Sequence, residues 1–177
     1  MIYVDVDGVL ADFNGRILTN YNAKHGTKWT NDDVTDWEYQ TIFHAGQRWQ
    51  DYIDPGFWLD LELLPWAQRL VKAVRDTRQN YAFLTYIPDE TADRRHWLNW
   101  HFTKELGDPP GDRMIIAKRK ELVVHSNDLL IDDAPRNIKA VRKNGATVMA
   151  LAQPWNQSVW GRMSPEQVIQ NLERYKR

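Results

Sequence analysis

The order of apolar and polar positions divides this chain into two unlike parts. Ile2–Val4 is a short apolar run that stops at Asp5, which predicts a buried strand. From Asn14 to Asp60 the pattern is polar and aromatic, broken by the turn-rich stretches "KHGTKWTNDD" and "DYIDPGFW". Beyond them the pattern becomes regular. "LPWAQRLVKAVRDTRQN" sets Leu64, Ala67, Leu70, Val71 and Val74 at helical spacing. "YAFLT" predicts a strand, and "DETADRRHWLNWHFTKELG" predicts a helix with an acidic first turn and a stop at Gly107. "RMIIA" reads as a strand, "KRKELVV" as a short helix and "DLLID" as a strand. "PRNIKAVRKNG" has Pro in its first turn and Gly145 just past its end. "ATVMAL" is a further strand, and "SPEQVIQNLERYKR" a closing helix with Ser164 as N-cap and Pro165 at the first helical position.

Strands alternating with helices imply an α/β fold, a Rossmann-like parallel sheet with helices on both faces. The aromatic stretch between the first strand and the first regular helix reads as an insertion. The expected division is a core of residues 1–12 and 63–177 and a small, mostly helical cap of residues 13–62. Nine tryptophans are present, and four of them (Trp29, Trp37, Trp49 and Trp58) fall in that insertion.

Composition narrows the chemistry. The 177 residues suit one domain with a small insertion, and the net charge of −1 gives no global pull toward nucleic acid or membrane surfaces. Without cysteine there are no disulfides, thiolate nucleophiles or cysteine-type zinc sites. No secretory signal or membrane span is visible, so a cytoplasmic location is the expectation. His25, His44, His96, His101 and His125 show no ligand spacing.

In an open parallel sheet, ligands sit beyond the carboxyl ends of the strands. Polar residues accumulate there. Asp5 and Asp7 follow the first strand, Thr85 ends "YAFLT", Lys118 and Lys120 follow "RMIIA", and Asp132 and Asp133 end "DLLIDD". Each group alone has a plainer reading. Asp-x-Asp-Gly is common in strand-ending turns, and Asp133 or a neighbour could cap the helix that starts at Pro135. Neither reading explains both acidic pairs at strand ends. Clustered carboxylates call for a cation, and all-oxygen ligands favour Mg²⁺.

"DVDGVLADF", Thr85, a downstream lysine and "DLLIDD" together resemble the haloacid dehalogenase-like phosphohydrolases, and among them the 5'(3')-deoxyribonucleotidases. "PGFWLDLELLPWAQRLVKAV" is similar to the point where the cap of that family returns to its core. The resemblance implies a HAD-like core and a phosphatase. In it Asp5 is the nucleophile, Asp7 the general acid and base, Thr85 a phosphate ligand and Lys120 the charge-neutralising lysine. Lys118 is the alternative lysine; Lys120, 12 residues before Asp132 where Lys118 is 14 before it, is favoured because the shorter spacing is closer to the family pattern. The implied metal ligands are Asp5, the Asp7 carbonyl and one of Asp132 and Asp133, with Asp133 favoured. Phe13, Phe57 and Trp58 correspond to positions that line a base pocket. Tyr86 stands where the family often has a small residue, beside the phosphate.

The resemblance makes the expected substrate a small phosphomonoester, first of all a deoxynucleoside monophosphate, hydrolysed with Mg²⁺. A polynucleotide 3'-phosphatase, a sugar-phosphate phosphatase and a catalytically inactive nucleotide-binding module are the alternatives. Long nucleic acid is disfavoured by the absence of a basic run, and a homodimer is compatible with the chain. Most of the insertion's aromatic residues are expected simply to form its core.

Overall fold

The computed structural model describes residues 1–86, 96–98, 100–109 and 111–175. Its centre is a six-stranded sheet. The strands are β1 (Ile2–Val4), β2 (Tyr81–Thr85), β3 (Met114–Ile116), β4 (Leu129–Asp132), β5 (Thr147–Leu151) and β6 (Arg162–Met163). All pairings are parallel, in the order β3-β2-β1-β4-β5-β6. Among the described residues the helices include α1 (Phe13–His25), α2 (Ala67–Asp76), α3 (Pro135–Lys143) and α4 (Pro165–Glu173), and residues 96–98 are also helical.

Both faces of the sheet are covered, which is why the strands read as unbroken apolar runs. Side chains alternate between the faces. Ile2, Val4, Phe83, Leu129 and Ile131 join Leu70, Val71 and Val74 of α2 and Val168 and Leu172 of α4 in one buried cluster. Tyr3, Ala82, Leu84, Leu130 and Val148 join Ile138 and Val141 of α3 in the other. Strand order reverses at β1, between β2 and β4. The crevice of such a fold therefore opens beyond Val4 and Asp132.

Local signals account for the helix ends. In α4, Ser164 Oγ accepts from the Gln167 amide (3.2 Å) and Gln167 Oε1 accepts from the Ser164 amide (2.8 Å), a reciprocal capping box. Helix α2 is shorter than its apolar pattern. The Thr77 hydroxyl donates to the Val74 carbonyl (2.7 Å), and Arg78 takes a left-handed φ of 57°. The expected "KRKELVV" helix is one 3₁₀ turn, Lys120–Leu122. The two-residue strand β6 was too short to show in the sequence. The acidic first turn expected at residues 89–91 lies outside the described residues. The end of that segment is a π-helical turn, His101–Glu105.

The least expected element is α1. Its apolar positions are few, with Ile17, Leu18 and Tyr21 buried, so periodicity in the aromatic stretch is faint. Its ends are well marked nonetheless. Asp12 Oδ1 accepts from the Gly15 amide (3.0 Å), and Gly26 closes the helix at φ 66°. Asp12, the third acid of the opening motif, is thus a helix cap; it also receives Asn31 Nδ2 at 2.9 Å.

Besides α1, residues 13–62 hold two 3₁₀ turns, Asn31–Asp33 and Trp49–Tyr52. The chain leaves and returns side by side. The Asp12 amide donates to the Glu62 carbonyl and the Leu64 amide to the Leu10 carbonyl, both at 2.8 Å. Val34, Tyr39, Ile42, Phe43, Tyr52, Phe57, Trp58 and Leu61 of this stretch belong to the same buried cluster as β1 and α2.

The double role of Asp12 gives a measurable expectation. Asp12→Ala should lower unfolding stability by about 0.5–2 kcal/mol, the usual cost of losing an N-cap. Denaturant melts of the two proteins test it; equal midpoints would mean that the cap contributes nothing.

Candidate active site

The site begins where β1 stops. The Asp5 amide still donates to the Ile131 carbonyl (2.9 Å), so Asp5 is held against β4. The chain then turns. The Val6 carbonyl accepts from the amides of Val9 (3.3 Å), Leu10 (2.8 Å) and Ala11 (2.9 Å), and Gly8 takes φ 78°. In a straight strand Asp5 and Asp7 would point to one side, two residues apart, with the backbone advancing between them. The turn instead lets both line one cavity. Gly8 is also required by space: a methyl group there would lie 2.3 Å from Asp133 Oδ2.

Lys120 is the centre of the buried charges. Its Nζ is 2.6 Å from Asp5 Oδ2 and 2.8 Å from Asp132 Oδ2, and the residue is 2% exposed. Lys118 is exposed and sits over the Tyr86 ring, 5.8 Å from its centroid. Of the two candidate lysines, only Lys120 contacts the acids by these bonds.

The two acids of "DLLIDD" have different partners. Asp132 is saturated by protein. Its Oδ1 accepts from the Ala134 amide (2.8 Å), its Oδ2 from Lys120, and both oxygens lie near Asn137 Nδ2 (3.3 and 3.2 Å). Helix α3 has Ala134 at its N-cap without a side-chain cap, so neither acid serves as the N-cap residue. Asp133 Oδ2 accepts from Trp155 Nε1 (2.7 Å), whereas its Oδ1 is buried with no partner. A buried oxygen without a partner is rare and costly.

Asp5, Asp132 and Asp133 each offer an oxygen within 4.8 Å of the others. These three carboxylates share one ammonium, which leaves surplus negative charge in a dry place. Burial pushes the Asp5 carboxyl up to about 8; Lys120 works against that shift, and Asp132 and Asp7 add to it. Burial also raises Asp133 well above the usual carboxylate range, reinforced by Asp132 and Asp5 and opposed by the Trp155 hydrogen bond and Lys120. For Lys120, burial acts to discharge the amine, but Asp132 and Asp5 outweigh it and keep the ammonium. An all-oxygen cluster with excess charge and one unpaired oxygen fits a metal cation.

Asp5, Asp7 and Lys120 open into a cavity of about 420 Å³, within the range of small-molecule sites, with Asp132 and Asp133 buried beside Asp5. Its floor is Asp5, Asp7 and Lys120, and its walls include Phe13, Trp37, Tyr39, Trp49, Trp58 and Trp155. Tyr86, Lys118 and Arg136 also line it. Phe13 meets Trp49 edge-on at 5.3 Å and Phe57 at 5.5 Å.

Of the residues singled out in the sequence, Asp5, Asp7, Phe13, Trp58, Tyr86, Lys118 and Lys120 line the cavity, whereas Asp132, Asp133, Phe57 and Thr85 lie buried outside its lining. Phe57 does not line the cavity. It is fully buried behind Phe13 and Trp58, with the Arg16 guanidinium 5.7 Å from its ring, so it supports the wall instead of forming it. Thr85 is likewise fully buried, but its Oγ1 lies 3.4 Å from Asp7 Oδ2.

Several lining or supporting residues had not been anticipated, among them Trp37, Trp49, Arg136, Asn137 and Trp155. The strand-end rule could have flagged "QPWN" after β5, because β5 ends on the same edge. Trp37 and Trp49 stand in a turn-rich stretch, where no periodicity assigns a direction.

Comparison with known proteins agrees with this geometry. Residues 1–169 match the family model described as 5' nucleotidase, deoxy (pyrimidine), cytosolic type C protein (NT5C). A protein of Staphylococcus aureus strain MSSA476, provisionally named a 5'(3')-deoxyribonucleotidase, is 30% identical over 142 residues, covering 78% of this chain and 76% of its own. The human 5'(3')-deoxyribonucleotidase, cytosolic type, is 28% identical over 149 residues, covering 75% and 69%. Among solved structures, a HAD family hydrolase from Deinococcus radiodurans R1, crystallised with phosphate and sodium, superposes with a TM-score of 0.54. It is 18% identical, and the match covers 98% of this chain and 86% of that one. That likeness concerns the fold. The family match spans nearly the whole chain and agrees with the acids at the strand ends: this protein belongs to the NT5C family of 5'(3')-deoxyribonucleotidases, phosphatases of the haloacid dehalogenase-like superfamily.

Proposed function

We propose that the protein hydrolyses deoxynucleoside monophosphates, with Mg²⁺, through an aspartyl-phosphate on Asp5. The observation that carries this reading is the Asp5–Lys120 pair of a buried carboxylate cluster lining an aromatic-walled cavity. A phosphate would meet the cluster, and a base would meet the aromatic faces, which suit any nucleobase. In this reading residues 13–62 are the cap and residues 1–12 and 63–177 the catalytic core. The family's cytosolic description favours a cytoplasmic enzyme.

Asp5 is held ready by both oxygens, with Oδ1 accepting from the Val6 amide (2.7 Å) and Oδ2 paired with Lys120. An Asp5 oxygen attacks phosphorus as the ester P–O bond breaks, and Asp7 gives its proton to the departing alcohol. Water then attacks the aspartyl-phosphate, Asp7 takes a proton from it, and phosphate leaves with Asp5 restored. The Thr85 hydroxyl, beside Asp7 in the free enzyme, turns to donate to a phosphate oxygen. Lys120 offsets charge on Asp5 and the phosphoryl group. Asp5, Asp133 and the Asp7 carbonyl would hold Mg²⁺, with Asp132 beside them, and the bound ion would stabilise charge on the phosphoryl oxygens.

A phosphate-release screen tests the function. Deoxynucleoside monophosphates should be hydrolysed with Mg²⁺ and not with EDTA; a 3'-phosphorylated oligonucleotide and sugar phosphates should be poor substrates. Asp5→Asn should abolish turnover and remain folded. Preference for a sugar phosphate, or turnover by Asp5→Asn near the wild-type rate, would sink the reading.

The two neighbouring acids should separate by measurement. Asp132→Ala removes one of the two carboxylates on Lys120 and leaves its Asp5 pair in place, so it should cost the metal-free protein about 1.5–3 kcal/mol, the range for a hydrogen bond to a charged group. Asp133→Asn should leave metal-free stability equal or higher and raise the Mg²⁺ requirement at least tenfold, on the order of the loss expected for a damaged metal site. The same acids set a pH dependence. The folded Asp5 value lies near 8, far above an unfolded carboxyl near 4. Its contribution is therefore complete below about pH 4 and lost as pH rises toward 8. Mg²⁺ should relieve that loss, so the melting-temperature gain on adding Mg²⁺ should be larger at pH 8 than at pH 5.5. A gain that shrinks with pH would contradict the charge assignment.

Phe13 and Phe57 should also differ. Phe13→Ala should weaken use of a nucleotide by about 1–3 kcal/mol, the scale of base–aromatic stacking, and barely affect p-nitrophenyl phosphate. Phe57→Ala should instead lower stability by about 3–5 kcal/mol. Kinetics on both substrates, alongside thermal melts, separate the effects; equal loss of both substrates in a stable Phe13→Ala would remove the base from the cavity.

A further inference from the structure

The loop after β5 does more than close the sheet. Trp155, 4% exposed, donates from Nε1 to Asp133 Oδ2 at 2.7 Å. Asn156, fully buried, donates from Nδ2 to the Asp133 carbonyl (2.8 Å) and the Leu151 carbonyl (2.7 Å). Its Oδ1 accepts from the Gln153 amide (3.0 Å), and Gln153 Nε2 donates to the Gly8 carbonyl (2.7 Å). One short segment thus grips the acid that follows β4 and the turn that follows β1.

This grip confines Asp133. Oδ2 is bonded by the indole on one side, and on the other Gly8 approaches so closely that a methyl group would lie 2.3 Å away. Oδ1 is the oxygen left, buried and without a partner. Among neutral side chains, indole N–H has a particular advantage here. It is a donor only, so it orients the carboxylate without accepting a bond from it. It also brings no charge, so the acid's attraction for a cation is undiminished; a lysine or protonated histidine would neutralise it.

We propose that Trp155 is a positioning residue for the metal: its N–H fixes the Asp133 carboxylate so that Oδ1 faces a divalent cation. This rests on the metal-site reading above. Trp155 acts on the ion through Asp133 and makes no bond to it. Its ring also forms part of the cavity wall, so the same side chain joins the metal acid to the substrate space.

The experiment titrates magnesium chloride into metal-free protein, without substrate, and follows the melting temperature and the heat of binding. Trp155→Phe keeps an aromatic ring and removes the donor. It should raise the half-saturating Mg²⁺ concentration by about 10–100-fold, the usual effect of losing a group that orients a ligand. Trp49→Phe, which alters another ring of the same wall, one packed on Phe13, should leave that concentration unchanged. If Trp155→Phe does not fold, benzothienylalanine at position 155 preserves the two-ring shape with sulfur in place of N–H, and the same increase is expected. Unchanged Mg²⁺ affinity in a folded donor-free variant overturns the proposal. Loss of Mg²⁺ affinity to the same extent in Trp49→Phe also overturns it, because the effect would then belong to the wall. Failure of the wild-type protein to bind Mg²⁺ would instead overturn the metal-site reading itself.

Discussion

Three buried carboxylates competing for one ammonium are the constraint on which this structure turns. Asp5, Asp132 and Asp133 come from two adjacent strands, and Lys120 reaches two of them from the turn after β3. Burying that much like charge is unfavourable. The surroundings accordingly satisfy nearly every oxygen: backbone amides of Val6 and Ala134, the amide of Asn137 and the indole of Trp155. The exception, Asp133 Oδ1, is what turns a cluster of charges into a candidate metal site.

The rest of the fold holds this cluster in register. Two buried hydrophobic clusters lock the strands, and the reversal of strand order opens the sheet beyond β1 and β4. The turn at Val6–Ala11 brings Asp7 round to the same cavity as Asp5. Gly8 serves the turn and at the same time leaves room for Asp133. Its role therefore combines conformation and space, and neither is separable from the other.

The aromatic stretch adds the walls. Phe13 lies at the start of α1, Trp49 in a 3₁₀ turn and Trp58 near the return to the core. Because their support belongs to the same buried cluster as β1, the walls are coupled to the sheet by packing. A molecule in this cavity would touch groups from both parts of the chain, Asp5, Asp7 and Lys120 on one side and the aromatic rings on the other.

Much of this was legible in the sequence. Apolar runs of strand length, capped helical patterns and acids placed after the strands specify a parallel α/β sheet with a charged edge, because strand and helix periods and strand-end positions are local properties. The sequence offered both Lys118 and Lys120, and it is the fold that sets Lys120 against Asp5 and Asp132. Sequence alone could not display α1, whose few apolar residues conceal its period, or the shift of Phe57 behind the cavity wall, since burial depends on what packs in front. Above all, the partners that most separate Asp132 from Asp133 come from elsewhere in the chain: the fold brings Lys120 to one carboxylate and Trp155 to the other. Those partners lie up to 22 residues from the acid they bind, and their choice is made by three-dimensional packing, where a hydrogen bond is decided by ångströms and not by sequence neighbourhood.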